Sequence, residues 1–377
     1  MRTETSEQNR VRAASQSIDP ELARIVGRAV PNARVVRAVR LGTDDGAQAD
    51  QLTAKAAGYG IPILIEIDEN DARRTLVLHG TSANPFGHDR RADRAAELLL
   101  AADTYGSIPR HARALDVGAF RRDGTSVSLL DSGEFYLLTE FVEGHAYADD
   151  LRRIAKTRMA EPADLEKVHA MADYLAMLHT PQPDHEVAYV RSLRDLLGGG
   201  EGIFGIVDGY SQATPRVDAS CLQRIERRCL DWRWRLKQRK PRPARIHGDF
   251  HPFNVLFDQA ASLAVLDTSR GSLGDAADDV TCMAVNFIFF ALEDTAAWHG
   301  AFASLWRAFW NRYLARSRDV ELLSFAAPFL AWRLLVLACP VWYPNLSGTA
   351  RGRLLQLAET ALDADHFDPE MAEAVFR

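Results

Sequence analysis

A chain of 377 residues, 47% apolar and 25% charged, is too long for one ordinary core and has the composition of a soluble globular protein with two or more lobes. Its net charge of −6 gives no reason to expect a nucleic-acid partner. The 45 basic residues comprise 40 arginines and 5 lysines, a bias that reads as coding composition rather than a binding surface.

Residues 1–17 are polar and charged and read as a disordered tail with no leader pattern. Ser17-Ile-Asp19-Pro20-Glu21 then starts a helix with proline in its first turn. Strand-like runs follow at 35–39, 61–67, 75–79 and 135–142, and a helical segment, 90–102, lies between the third and fourth. These predict a small, mostly antiparallel sheet with one packed helix. From Ala163 onward helices dominate. Leu165, Val168, Met171, Ala172, Leu175 and Leu178 recur at helical spacing as one buried stripe, 218–238 is a further helix, and 276–377 is helix-rich.

Trp298, Trp306, Trp310, Trp332 and Trp342 are expected in the core rather than on a ligand. The apolar stretch 325–342 is interrupted by Pro328, Arg333 and Pro340, which predicts a buried helix and not a membrane span. The glycine-rich segment 197–205 lacks the Gly-Lys-Ser/Thr ending of a Walker loop and reads as a flexible loop that shapes an acceptor pocket. Cys221, Cys229, Cys282 and Cys339 have no metal spacing, so neutral thiols in a reducing cytoplasm are expected.

The most informative segment is His247-Gly-Asp249-Phe-His251-Pro-Phe-Asn254. Beyond it, Val255-Leu-Phe257 and Leu263-Ala-Val-Leu266, joined by the short turn 258–262, predict a hairpin that delivers Asp267. An aspartate, an amide five residues later and a carboxylate at a strand end is the arrangement used for kinase-type phosphoryl transfer. That reaction needs little covalent help, only metal, nucleotide and hydroxyl held in line while charge is neutralised. Asp249 would orient the acceptor hydroxyl and take its proton. Asn254 and Asp267 would offer a neutral and an anionic oxygen to Mg²⁺. A helix signal at 275–279, before Val280, begins too soon after Asp267 to leave room for a peptide platform, so a small-molecule acceptor is expected and a protein kinase disfavoured.

Together with Leu266-Asp267-Thr-Ser-Arg270 and Gly274-Asp275-Ala-Ala-Asp278-Asp279-Val280, the loop resembles the aminoglycoside phosphotransferase and choline kinase-like family. The resemblance implies an α+β, two-lobed protein-kinase-like fold, with a small antiparallel sheet lobe at 18–143 for the nucleotide and a larger, mostly helical catalytic and acceptor-binding lobe at 144–377. It implies that Asp249 is the catalytic base, that Asn254 and Asp267 are metal ligands, and that His247 and Asp279 support the catalytic loop. Residues 138–144 resemble the hinge, which places Glu140 and Val142 near the base of the nucleotide.

The pattern breaks where related kinases carry a third-strand lysine, because this chain has none between Lys55 and Lys156. His79 stands in its expected place, with Glu97 as its helical partner. Three explanations stay open: Arg73, Arg74 or Lys55 takes the role, His79 substitutes, or phosphate binding is impaired. Gly58-Tyr-Gly60 is placed to form a glycine turn over the phosphates.

The sequence therefore predicts a cytoplasmic phosphotransferase that moves the γ-phosphate of ATP or GTP, with Mg²⁺, to a hydroxyl of a small metabolite or antibiotic. Neither nucleic acid nor membrane is an expected partner. The alternative is a nucleotide-binding pseudokinase, supported by the missing lysine. The acceptor stays open, since Arg307, Arg333, Arg351 and Arg353 are mixed with Glu293 and Asp294 in the C-terminal half, unlike the carboxylates expected around a polycation.

Overall fold

Asp19 accepts a hydrogen bond from the Glu21 amide (2.9 Å) and Pro20 opens α1 (Pro20–Ala29), two residues that favour a helix start at this point. The computed structural model describes residues 19–40, 62–211, 214 and 217–377. The tail at 1–17, Lys55 and Gly58-Tyr-Gly60 lie outside the described residues. The chain divides into two units, one ending at Thr139 and the other running from Glu140 to Arg377.

In the first unit β1 (Arg34–Arg40), β2 (Ile63–Glu69) and β3 (Ala72–Leu78) form an antiparallel sheet in that order. Asn70 and Asp71, both in the left-handed region (φ 48° and 64°), make the two-residue β2–β3 turn that this backbone twist requires. Leu22 and Val26 of α1 pack on Val35, Ile65 and Ile67.

Two expectations fail here. The helix on the sheet is α1, whereas α2 (Arg91–Tyr105) buries no residue. Its leucines at 98, 99 and 100 are consecutive and so spread around the helix instead of forming a stripe. The run 135–142 makes no strand. A strand needs a ladder partner as well as propensity; this run has none among the described residues, and Tyr136, Leu137, Leu138 and Phe141 are exposed. The short hairpin of β4 (Gly118–Phe120) and β5 (Ser126–Ser128) precedes it.

The second unit is mostly helical: α3 (Tyr147–Thr157), α4 (Pro162–Leu178), α5 (Glu186–Gly198), α6 (Ile203–Asp208), α7 (Ala219–Lys237), α8 (Ala276–Ala291), α9 (Ala303–Ser317), α10 (Ala326–Ala338) and α11 (Gly348–Asp363). Its strands are β6 (His145–Ala146), β7 (Ala244–Arg245), β8 (Val255–Phe257), β9 (Leu263–Val265) and β10 (Leu273–Gly274), paired β6-β8-β9 and β10-β7. Val168, Met171, Ala172 and Leu175 of α4 are fully buried, but Leu165, one turn earlier, is exposed and lies off the stripe.

Trp298, Trp306 and Trp310 are buried as expected, with Trp298 stacked on Phe376 at 4.2 Å. Trp342 is exposed. Pro328 falls in the first turn of α10, where a missing amide costs nothing, and the helix is buried almost throughout. Among the described residues no helix is long and apolar enough to cross a membrane. All four cysteines are free, and burial pushes the thiols of Cys221 and Cys282 up to about 11 and about 12.

Candidate functional site

The β8–β9 hairpin forms as its alternating residues predict, with Val255 opposite Val265 and Phe257 opposite Leu263. Asp258 fastens the turn by accepting from the Ala260 and Ser262 amides, both at 2.8 Å. Pairing continues past the strands, since the Leu266 amide donates to the Asn254 carbonyl at 2.9 Å. The hairpin therefore sets Asn254 beside Asp267.

The Asn254 side-chain amide donates to the backbone carbonyls of Asp249 (3.1 Å) and Asp267 (3.4 Å). This fixes its orientation and leaves Oδ1 without a protein partner among the described residues. The Asp267 carboxylate is likewise unpartnered and exposed, on a left-handed backbone (φ 48°). A neutral and an anionic oxygen, adjacent and unused, fit a hard divalent cation. Among the described residues no cluster of three or more His, Cys, Asp or Glu could hold a metal. A cation here would therefore complete its shell with phosphate oxygens and water.

The loop that carries Asp249 is held from behind. Asp275 caps α8 by accepting from the Ala277 amide (2.9 Å), and Asp278 and Asp279 in the first turn suit the positive end of the helix. Asp279 is fully buried and accepts from the amides of His247 (2.6 Å) and Gly248 (2.8 Å). His179, at the end of α4, lies 3.2 Å from the same carboxylate and 2.8 Å from the Tyr313 hydroxyl. Burial would raise the Asp279 carboxyl, but His179 and the two amides hold it below the usual value. The imidazole of His247 accepts from the Asp249 amide (3.2 Å), and Thr268 donates to the His247 carbonyl.

Gly248 has φ 84°, and an added Cβ would lie 2.8 Å from the Gly271 carbonyl oxygen. Gly248→Ala is therefore expected to cost about 1–3 kcal/mol of stability and to displace the neighbouring Asp249. A urea titration with a parallel rate measurement checks both.

The Asp249 carboxylate lies 3.5 Å from each of His251 Nε2, Arg270 Nη2 and Arg333 Nη1. Burial pushes its carboxyl up, but the His251 hydrogen bond and the Arg333 and Arg270 charges outweigh burial and hold it well below the usual carboxylate range. Both arginines also meet Asp278, at 2.6 Å from Arg333 and 3.4 Å from Arg270. Their guanidinium carbons lie over the Trp332 ring at 4.0 and 4.6 Å.

Trp332 Nε1 in turn donates to the Glu201 carbonyl (2.7 Å), within the glycine-rich segment. That segment is not the flexible loop expected from its composition. It is a close junction between α5 and α6, in which a Cβ on Gly199, Gly202 or Gly205 would lie 2.7, 2.4 or 2.0 Å from a backbone oxygen.

The structure thus brings His247, Asp249, Asn254, Asp267 and Asp279 together. The sequence reading missed the parts played by His179, Asp278, Arg270 and Arg333. Arg333 left a signal, as a lone charge inside an apolar helix that must find a partner when buried. Glu140 is exposed, and Glu140 and Val142 lie in a segment without strand or helix.

His79 follows β3 directly and is exposed, and the expected His79–Glu97 pair is not made. The imidazole that meets Glu97 belongs instead to His88, three residues before α2 (3.2 Å). Arg73 and Arg74, considered as substitutes for the missing lysine, are engaged by Asp68 (2.7 Å) and Glu69 (2.9 Å) of β2.

Residues 70–319 match the family described as the phosphotransferase enzyme family. No curated protein matches the chain significantly. Among solved structures, the chain is similar to a glucosamine kinase in complex with glucosamine, ADP and inorganic phosphate (14% identity, TM-score 0.41, 89% of this chain and 99% of that one). It is also similar to the GDP complex of wild-type aminoglycoside 2'-phosphotransferase-IIIa (14%, 0.35, 91% and 99%) and to an ethanolamine kinase from Plasmodium vivax (11%, 0.35, 87% and 82%). Likeness at this level carries no argument about substrate.

Proposed function

The chain belongs to the phosphotransferase enzyme family, and on that premise we propose that it moves the γ-phosphoryl group of ATP or GTP to a hydroxyl of a small molecule. Its α+β architecture, a small antiparallel sheet unit and a larger helical unit, is the protein-kinase-like fold expected from the sequence. The observation that carries the proposal is the convergence of Asp249, Asn254 and Asp267 from one braced loop and one hairpin.

In this reading Asp249 accepts a hydrogen bond from the acceptor hydroxyl and orients its oxygen toward phosphorus. The oxygen–phosphorus bond forms while the bond from phosphorus to the bridging oxygen breaks. The electron pair leaves with the nucleoside diphosphate, and the hydroxyl proton passes to Asp249. A carboxylate held this far below its usual range is a weak base. That suits a loose transfer, in which the proton moves late and orientation counts for more than basicity. Asn254 Oδ1 and the Asp267 carboxylate would hold Mg²⁺, which supplies neutralising charge to the transferred group. Residues 18–143, with His79, Glu97, Glu140 and Val142, would hold the nucleotide, and 144–377 the acceptor.

The lack of any lysine between Lys55 and Lys156, with Arg73 and Arg74 already paired, favours one second reading, a protein that binds nucleotide without transfer. Release of ADP or GDP by the purified chain, measured across hydroxyl-bearing metabolites and antibiotics, separates the two. Transfer should depend on an acceptor, stop on chelation, and fall roughly 100-fold or more in Asp267→Ala, on the scale of losing one charge-stabilising group. Nucleotide binding with no transfer to any acceptor would support the second reading.

A further inference from the structure

We infer that the acceptor is an acid: a hydroxyl compound whose carboxylate or phosphate group is held by Arg270 and Arg333 while its hydroxyl meets Asp249. This rests on the transfer reading above and names the substrate class for the same site. Both guanidinium groups lie 3.5 Å from Asp249 Oδ1, so any acceptor that presents a hydroxyl to that carboxylate has its remaining atoms within reach of an arginine.

Arg333 is only 7% exposed, and its Nε–H has no acceptor among the described residues. A buried cation with an unmatched donor is short of negative partners, and an anion brought to the Nη groups of the guanidinium would lessen that cost. Both guanidinium carbons lie over the Trp332 ring, a contact that limits their freedom, and a planar fork of donors is suited to the two oxygens of a carboxylate or phosphate.

Charge points the same way. With the acceptor absent, two arginines face two carboxylates, Asp249 and Asp278, with His251 alongside. Once Asp249 takes the hydroxyl proton, the two cations lose the charge of one of these carboxylates. An anion on the acceptor restores the balance, whereas an amino alcohol or aminosugar would add a third positive charge beside them.

The test uses the full chain with Mg²⁺ and ATP or GTP, and compares hydroxycarboxylates and phosphate monoesters with their neutral amides or methyl esters, and with amino alcohols and aminosugars. Acids should exceed their neutral counterparts at least 10-fold in kcat/KM, and the two acid arms show which anion is preferred. Arg270→Gln, which also removes a charge beside Asp249, should lower kcat/KM for the acid at least 10-fold more than for its neutral counterpart, and Arg270→Lys should recover part of that difference. Melting curves of both variants establish that they fold. Preference for neutral or cationic acceptors, or an equal fall in kcat/KM for every acceptor in Arg270→Gln, would overturn the inference and leave the transfer reading standing. Silence across all acceptor classes would overturn both.

Discussion

Asp249→Asn is expected to lower turnover by about 10²–10⁴-fold, the usual contribution of a positioned proton acceptor, while leaving the affinity for Mg²⁺–nucleotide within a few-fold of the parent. The substitution keeps the side-chain shape but replaces one acceptor oxygen by a donor. The acceptor hydroxyl then loses the group that aligns it, and the proton loses its destination. The Asn254 amide still has the residue 249 backbone carbonyl (3.1 Å) to hold it in place, so the proposed metal ligands stay where they are. Steady-state rates and equilibrium nucleotide titration make the check, and retained turnover would remove Asp249 from its role. Because the Asp249 carboxyl is held well below its usual range, it should stay ionised from pH 5 to pH 8. The parent rate should therefore show no acidic limb from this group between pH 5 and pH 8.

The second large effect is structural. Asp279→Ala strips the buried amides of His247 and Gly248 of their acceptor and leaves His179 facing a void. Breaking such a buried, hydrogen-bonded pair costs about 3–5 kcal/mol, which for a unit of this size is a fall in Tm of roughly 6–20 °C. Asp279→Asn should fall between, since an amide can still accept from one of the two N–H groups. The pH dependence has a definite sign. A carboxyl whose pKa is lowered on folding stabilises the protein above its ordinary value of 3.8, and that stabilisation is lost as pH falls through the folded value. The parent should lose stability at acid pH more steeply than Asp279→Asn. Equal melting temperatures in parent and Asp279→Ala would show that the brace contributes nothing.

What the sequence made legible was local. The Asp249–Asn254 spacing, the hairpin through 258–262 and the helix start at Asp275 are each set by residues within a few positions of one another, so turn chemistry and periodicity suffice to read them. The arginines and His179 were not legible in the same way. Arg333 meets Asp249 across 84 residues, and His179 meets Asp279 across 100; no periodicity encodes such meetings. The failures have the same origin. Residues 135–142 have the propensity of a strand, but pairing decides whether one forms, and α2 was read as packed because it falls between strand-like runs, although its consecutive leucines share no face. Composition also misread the glycines of 197–205, which permit two backbones to touch.

That contact carries a consequence for how this protein could change its choice of acceptor. The Trp332 indole donates to the Glu201 carbonyl and lies under both guanidinium groups. A side chain introduced at position 202 or 205 would shift the floor under the arginines without touching a reacting atom. Acceptor preference could therefore drift through substitutions remote from the chemistry, and selection for a new acceptor should recover changes at this helix junction as readily as at the arginines.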